Sequence, residues 1–330
     1  MVRALLSAAA LLLLAGAALA QAPRFELPIA CEVGTTCFIQ NHVDQDPGPG
    51  RQDYACGRLT YDGHDGTDFR LPDYRMMEAG VPVLAAADGT VLRVRDGMDD
   101  VNVNIVGRDR IMDVGGGNAV VIDHGGGWQT AYLHMKRGSV AVKPGDRVAA
   151  GQRLGLVGLS GLTEFPHLHF GVRHGGKPVD PFVGDMPATA CGQRFAPLWS
   201  DAAAKQLSYR ATAALGAGFS TRVPEAEAAR RGEFGEERLP RDATLLVLWS
   251  DIMGARGGDR QRVLIEAPGG KVVFDNTVTV PGDKAAWFSY QGMKRPATGW
   301  PAGPYRGTVT LTRDGETVAR LERTLATDFR

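Results

Sequence analysis

Apolar residues in this chain come mostly in short runs, and only one run is long. It stands at the start: Arg3, then an apolar stretch over 5–19, then Ala18-Leu19-Ala20. A charged start, an apolar middle and a small-x-small end are the pattern of a secretory signal peptide, here cleaved after Ala20. The run over 4–20 is shorter than the roughly 20 residues a membrane-spanning helix needs. No second run of that length follows, so the mature chain is expected to be exported with no membrane span. From about 59 to 185, β-rich runs at 81–86, 90–95, 119–123, 130–134, 153–157 and 168–172 alternate with turn signals. The turns are Asp88-Gly89, Gly125-Gly126-Gly127, Pro144-Gly145 and Gly175-Gly176. Together they predict an antiparallel all-β unit. Strand-like runs return at 245–249, 262–266, 272–274, 305–312 and 318–324, a spacing that suits a small β-sandwich. In between, 202–204 and 224–231 read as locally helical, with Pro224 suited to a first-turn position.

The expected fold is mainly β. Its expected divisions are a signal peptide (1–20), a loop-rich leader (21–58), an antiparallel β-sheet domain (59–195), a linker with short helices (196–241) and a β-sandwich-like accessory domain (242–330). The 43 Gly and 19 Pro residues agree with a chain rich in turns and poor in long helices. Hydrophobic residues at 44% and charged residues at 22% exclude disorder as the main state. Lys and Arg total 37 against 37 Asp and Glu. That balance excludes the electrostatic footprint of a nucleic-acid or anionic-membrane binder.

Export changes what the cysteines mean. Cys31, Cys37, Cys56 and Cys191 are even in number and would sit in an oxidising compartment, so two disulfides are expected. Cys31-x5-Cys37 lacks the closer spacing of zinc thiolate pairs. Four cysteines allow three connectivities; the arrangement expected here joins Cys37 to Cys56 and Cys31 to Cys191, pinning the leader to the far end of the next domain.

Chemistry concentrates at histidine. In His64-Asp65-Gly66-Thr67-Asp68, residues four apart share a face in a strand or a helical turn, so His64 and Asp68 can converge. In His167-Leu168-His169-Phe170, period two sends both imidazoles to one face and Leu168 and Phe170 into a core. Tyr132-Leu133-His134 ends a strand-like run. Two imidazoles and a carboxylate are three good ligands for a borderline cation such as Zn²⁺, and a three-ligand site keeps a fourth position for water. The other histidines read as structural: His124 and His174 at turns, His42 in the leader. Asp65, next to His64, would point away from the metal if it lay in a strand.

These segments resemble the LytM/lysostaphin-type zinc metallopeptidase family. Gly63-His64-Asp65-Gly66-Thr67-Asp68-Phe69 opens the match. Val81-Pro82-Val83, Ala87-Asp88-Gly89-Thr90-Val91 and 117–125 continue it, followed by Tyr132-Leu133-His134, Val142-Lys143-Pro144-Gly145 and Pro166-His167-Leu168-His169-Phe170, in order, over roughly 60–183. The resemblance implies His64, Asp68 and His169 as ligands of one Zn²⁺ per chain, with His134 and His167 acting in catalysis. It also implies a β-sheet groove of the duplicated hybrid motif type with the metal on its floor. The activity implied is that of a metalloendopeptidase cutting the peptide stems of bacterial peptidoglycan, in the periplasm or outside the cell, by way of a zinc-activated water. Leu162-Thr163-Glu164-Phe165 departs from the small Ser-Thr-Gly stretch common there, and Gly171 stands where Glu often follows the aromatic. Two other readings compete. A catalytically silent member that binds the wall or regulates another wall hydrolase would be favoured by a lost ligand, and here all five positions are filled. A biotinyl-type carrier, suggested by Val142-Lys143-Pro144-Gly145, needs its Lys at a hairpin tip, whereas Lys143 precedes the turn.

Overall fold

The computed structural model describes residues 22–185, 191–194 and 196–329. The expected signal peptide lies outside them. Ten strands form the first part: β1 (Phe38–Asn41), β2 (Thr67–Arg70), β3 (Pro82–Leu84), β4 (Gly89–Arg95), β5 (Asn118–Gly125), β6 (Trp128–Met135), β7 (Arg147–Val148), β8 (Arg153–Leu156), β9 (His167–His174) and β10 (Lys177–Val179). Eight of them make one antiparallel sheet in the order β1-β2-β9-β6-β5-β4-β7, with β10 paired to β9; β3 and β8 pair separately. Alternation along β9 sends Leu168, Phe170 and Val172 into a core with Phe69, Tyr132 and Ile122. Phe25 and Trp199, from the two segments flanking the sheet, close that core.

The leader is therefore part of the sheet. Its strand β1 pairs with β2, and Asn41 stands opposite Asp68. Two disulfides are present, but not in the expected pairing: Cys31 joins Cys37, and Cys56 joins Cys191. The reason is local. The amides of Thr35, Thr36 and Cys37 all reach the Glu32 carbonyl, and this tight turn brings the Cys31 and Cys37 Cα atoms to 5.9 Å, inside disulfide reach. Cys56 is then left for Cys191, Cα atoms 5.3 Å apart, which ties the end of the leader to the chain beyond β10.

Among the described residues, four short α-helices, α1 (Tyr74–Ala79), α2 (Val103–Val106), α3 (Asp201–Gln206) and α4 (Ala226–Arg230), decorate the strands. Pro224 lies one residue before the N-cap Glu225 rather than in the first turn of α4. The second part is a sandwich of two sheets sharing one apolar core. A three-stranded sheet holds β11 (Ala213–Ser220), β13 (Leu245–Ala255) and β16 (Lys284–Lys294). A five-stranded sheet holds β12 (Arg238–Leu239), β14 (Arg260–Ala267), β15 (Lys271–Thr279), β17 (Tyr305–Arg313) and β18 (Glu316–Thr327). Residues 196–241 thus supply two strands besides their helices. In β11 the signal is hidden because Gly218 stands where a Cβ would lie 2.7 Å from the Trp249 indole nitrogen; the strand is glycine-rich so that this ring can cross it. No helix among the described residues is long and apolar enough to cross a membrane.

Candidate metal centre

Three backbone segments converge on one face of the main sheet. Asp68 on β2 and His169 on β9 are register partners, so alternation places both side chains together. His64 enters from the turn before β2, where its amide bonds the Tyr61 carbonyl. His64 Nε2 lies 3.1 Å from Asp68 Oδ1 and 3.2 Å from His169 Nδ1, and the last two atoms are 3.0 Å apart. This triangle is close to the ~3.3 Å edge expected of a tetrahedron with bonds of ~2.0–2.1 Å to Zn²⁺. The donor set, two imidazoles and a carboxylate, fits that ion, and the three donor atoms lie close enough together to hold one.

Outer partners orient each of the three side chains. His64 Nδ1–H donates to the His42 carbonyl at 2.7 Å, which turns the Nε2 lone pair to the centre. Asn41 Nδ2 donates to Asp68 Oδ2 at 2.8 Å, leaving Oδ1 for the metal side. Asp65 corrects the expectation drawn from a strand: β2 begins only at Thr67, and the Asp65 carboxylate faces the outer nitrogen of His169 at 3.4 Å while pairing with Arg173 at 2.5 Å. Gly66 makes this approach possible, since a Cβ there would lie 2.4 Å from His169 Nε2.

The two remaining histidines lie beside the triangle. His134, the penultimate residue of β6, has φ near +60°, a left-handed backbone that a non-glycine residue adopts at a cost. Its Nδ1–H donates to the Ser160 carbonyl at 2.7 Å. His167 Nδ1 lies 3.0 Å from both the Phe165 carbonyl and Thr163 Oγ1, with Nε2 3.5 Å from Asp68 Oδ1. The rings of His134 and His167 are 4.6 Å apart. Thr163 and Phe165 belong to the stretch that departs from the family pattern, and that stretch serves as the seat of His167.

All five side chains are buried, between 3% and 7% exposed, so their charges act in a medium that screens poorly. Burial would raise the Asp68 carboxyl, but His64, His167 and His169 hold it well below the usual range, and it stays ionised. Burial lowers His134, and the neighbouring imidazoles lower it further. Burial also lowers His167 against the pull of Asp68. Both are neutral at neutral pH. His169 behaves oppositely: burial would lower it, but Asp65 and Asp68 together lift it to about 9 in the metal-free protein.

Sequence reading missed Asp65, Asn41, His42 and Ser160 as partners. Two of these act through backbone carbonyls, which no side-chain pattern reports, and Asn41 arrives by long-range strand pairing. His124 and His174 lie apart from the cluster. His124 bonds the Asp88 carbonyl and Thr130, and His174 stacks on Trp128 and pairs with Asp185.

Residues 62–181 match the model of Peptidase family M23. The chain carries a peptidase M23 domain. All five clustered residues fall inside it, whereas β1 and the C-terminal sandwich lie outside. Among curated relatives, the peptidoglycan DD-endopeptidase ShyA of Vibrio cholerae is 35% identical over 124 residues, 38% of this chain and 23% of that protein. The DD-carboxypeptidase/endopeptidase Mpg of Neisseria meningitidis is 34% identical over 125 residues, again 38% and 23%. The chain therefore spans about a quarter of the length of these relatives. A solved zinc-containing peptidase from Vibrio cholerae is 30% identical, covering 46% of this chain and 41% of that one, with a TM-score of 0.30.

Proposed function

We propose that this chain is an exported zinc metalloendopeptidase that hydrolyses peptide cross-links of bacterial peptidoglycan, delivered to the periplasm by cleavage after Ala20. The reading is carried by the convergence of His64 Nε2, Asp68 Oδ1 and His169 Nδ1 within 3.2 Å of one another. The M23 domain around it and the peptidoglycan endopeptidases among its relatives support the substrate class. Zn²⁺ held by these three side chains would polarise a carbonyl and lower the pKa of a bound water to about 7.

The chain's own residues supply the proton chemistry. His134 and His167 each anchor Nδ1 on a backbone carbonyl, which leaves Nε2 as an acceptor. As neutral imidazoles they take a proton from the attacking water and, once charged, deliver it to the leaving amine. While charged, either ring also stabilises the developing oxyanion. Digestion of purified sacculi, with mass spectrometry of the released fragments, tests the proposal. The wild type is expected to release stem peptides cut at the cross-link, and His134→Ala to release none while keeping its zinc. Sacculi that bind the protein and stay uncut would instead leave a catalytically silent wall-binding protein.

Asp65 makes a separate prediction. As the acceptor for the outer nitrogen of His169 it fixes the ring and raises its basicity as a ligand. Asp65→Asn is expected to weaken zinc binding about 10–100-fold, the usual cost of losing such a partner, without changing the fold. Competition against a fluorescent chelator measures it, and an unchanged affinity would remove Asp65 from the centre.

A further inference from the structure

The sheet face that carries the metal centre continues past β2 onto β1, where Asn41 stands opposite Asp68. Asn41 also lines a small cleft of about 70 Å³ between this edge and the C-terminal sandwich, large enough for a carboxylate group. On the leader side the cleft is walled by Arg51 and Arg58, and on the sandwich side by Arg256, Asp283 and Lys284. Two bonds across the gap hold the walls in place: Gln40 Nε2 donates to the Ala285 carbonyl at 3.0 Å, and Arg58 pairs with Asp283 at 2.6 Å. Four cations thus share one carboxylate. Asp283 feels both Arg58 and Arg256, while Arg51 and Lys284 have no acidic partner among the described residues. The chain as a whole is neutral, so this excess is a local feature and not a share of a basic surface.

The placement sets a distance. The Asn41 amide is 2.8 Å from the metal-side carboxylate Asp68, and adjacent strands lie about 4.8 Å apart. An extended peptide advances about 3.3 Å per residue, so one lying across the strands over the centre would pass Asn41, a residue of the cleft wall, within about one to three residues. Guanidinium groups match carboxylates in charge and in forked geometry.

We propose that this cleft is a carboxylate subsite, binding a free carboxylate of an acidic peptide on the β1 side of the bond to be cut. It rests on the peptidase reading and gives the C-terminal sandwich a part in substrate choice. The probe is a synthetic cross-linked stem peptide with all carboxylates free, compared with one amidated at its C-terminus and one amidated at its internal carboxyls. Amidation at the recognised position is expected to lower kcat/KM about 10–100-fold, the worth of a charge-assisted hydrogen bond, with the loss on KM. The triple variant Arg51→Gln, Arg256→Gln, Lys284→Gln should lose most of that discrimination at unchanged zinc content. The amidated position that matters identifies the carboxylate as terminal or internal. Equal cleavage of free and amidated peptides by the wild type, or full discrimination by the triple variant, would overturn the subsite. Should the wild type cut no peptide at all, the peptidase reading fails by itself. Calorimetric binding of the free-carboxylate peptide at low salt then decides the cleft: binding that amidation abolishes supports it, and equal binding ends it.

Discussion

Asp68→Ala is expected to empty the metal centre and lower cross-link hydrolysis by at least about 10³-fold, roughly 4 kcal/mol of transition-state stabilisation. Asp68 is the anion on which the cluster is built. Its Oδ1 lies 3.1 Å from His64, 3.0 Å from His169 and 3.5 Å from His167. Without it, buried imidazoles would have to hold a divalent cation with no negative charge at the triangle. His169→Ala should have the same outcome for a different reason, the loss of one of three donors. Metal content by mass spectrometry of the purified variants measures both, and full zinc occupancy in the two would overturn the ligand assignment. A pH dependence accompanies this. In the metal-free protein His169 is lifted to about 9 despite its burial, so the folded state binds a proton more tightly than the unfolded chain. That contribution to stability is fully present below pH 6.5 and is lost as pH rises through about 9. Zinc held by His169 would take the proton's place. Thermal unfolding in chelator is therefore expected to shift downward between pH 6.5 and 9.5, and the zinc-loaded protein to shift less; parallel curves would contradict the charge state of His169.

What the sequence disclosed about this centre is what short-range periodicity can carry. His167-Leu168-His169-Phe170 alternates between site and core because a strand has period two, and the structure has Leu168 and Phe170 fully buried on the other face. His64 and Asp68 meet across four residues. The strand runs rich in β-branched residues, such as those in β5 and β14, were likewise legible. Hidden features depend on partners far away in the chain. In strand β11, Ala213, Leu215, Ala217 and Phe219 alternate with Gly216 and Gly218, which are small because Trp249 lies over that face, so the run lacks the β-branched residues that mark a strand. Gly292 within β16 is small for another reason, since a Cβ there would lie 2.1 Å from the Leu246 carbonyl oxygen of the neighbouring strand. The disulfide pairing followed from a turn around Glu32 that no cysteine spacing reveals. Asn41 reaches Asp68 only because the leader adds a strand to the sheet.

The same long-range logic links the centre to the sandwich through a buried charge, and removing it should be the most damaging change outside the metal site. Arg70 follows Asp68 by two residues on β2, and so faces the same side of the sheet. Its guanidinium lies under the Phe165 ring at 4.5 Å, and that ring lies 4.8 Å from His167. Arg70 is 1% exposed; it donates to Gln40 Oε1 at 2.8 Å and lies 3.6 Å from Asp251 on β13. Asp251, 2% exposed, also takes a forked pair of bonds from Arg230 at 2.7 and 3.1 Å. Burial pulls the Arg70 pKa down to about 10 although Asp251 opposes it, so this carboxylate compensates a cation held in a poor solvent. Asp251→Ala would leave that cation unpaired, at a cost of about 3–5 kcal/mol, or a fall in Tm on the order of 10 °C for a chain of this size. The active site should share the loss. With Arg70 free to move, Phe165 no longer fixes the carbonyl that orients His167, and kcat should fall at temperatures where the variant is still folded. The triple variant Arg70→Met, Arg230→Met, Asp251→Ala separates the causes: it removes both cations that Asp251 compensates and should recover most of the Tm, because buried ion pairs replaced by apolar groups are often neutral. It also removes the guanidinium from beneath Phe165, so kcat should stay low while stability returns. Calorimetry and sacculus digestion on the single and triple variants read these effects independently. A single variant that melts within about 1 °C of the wild type would show that Arg70 finds its compensation elsewhere.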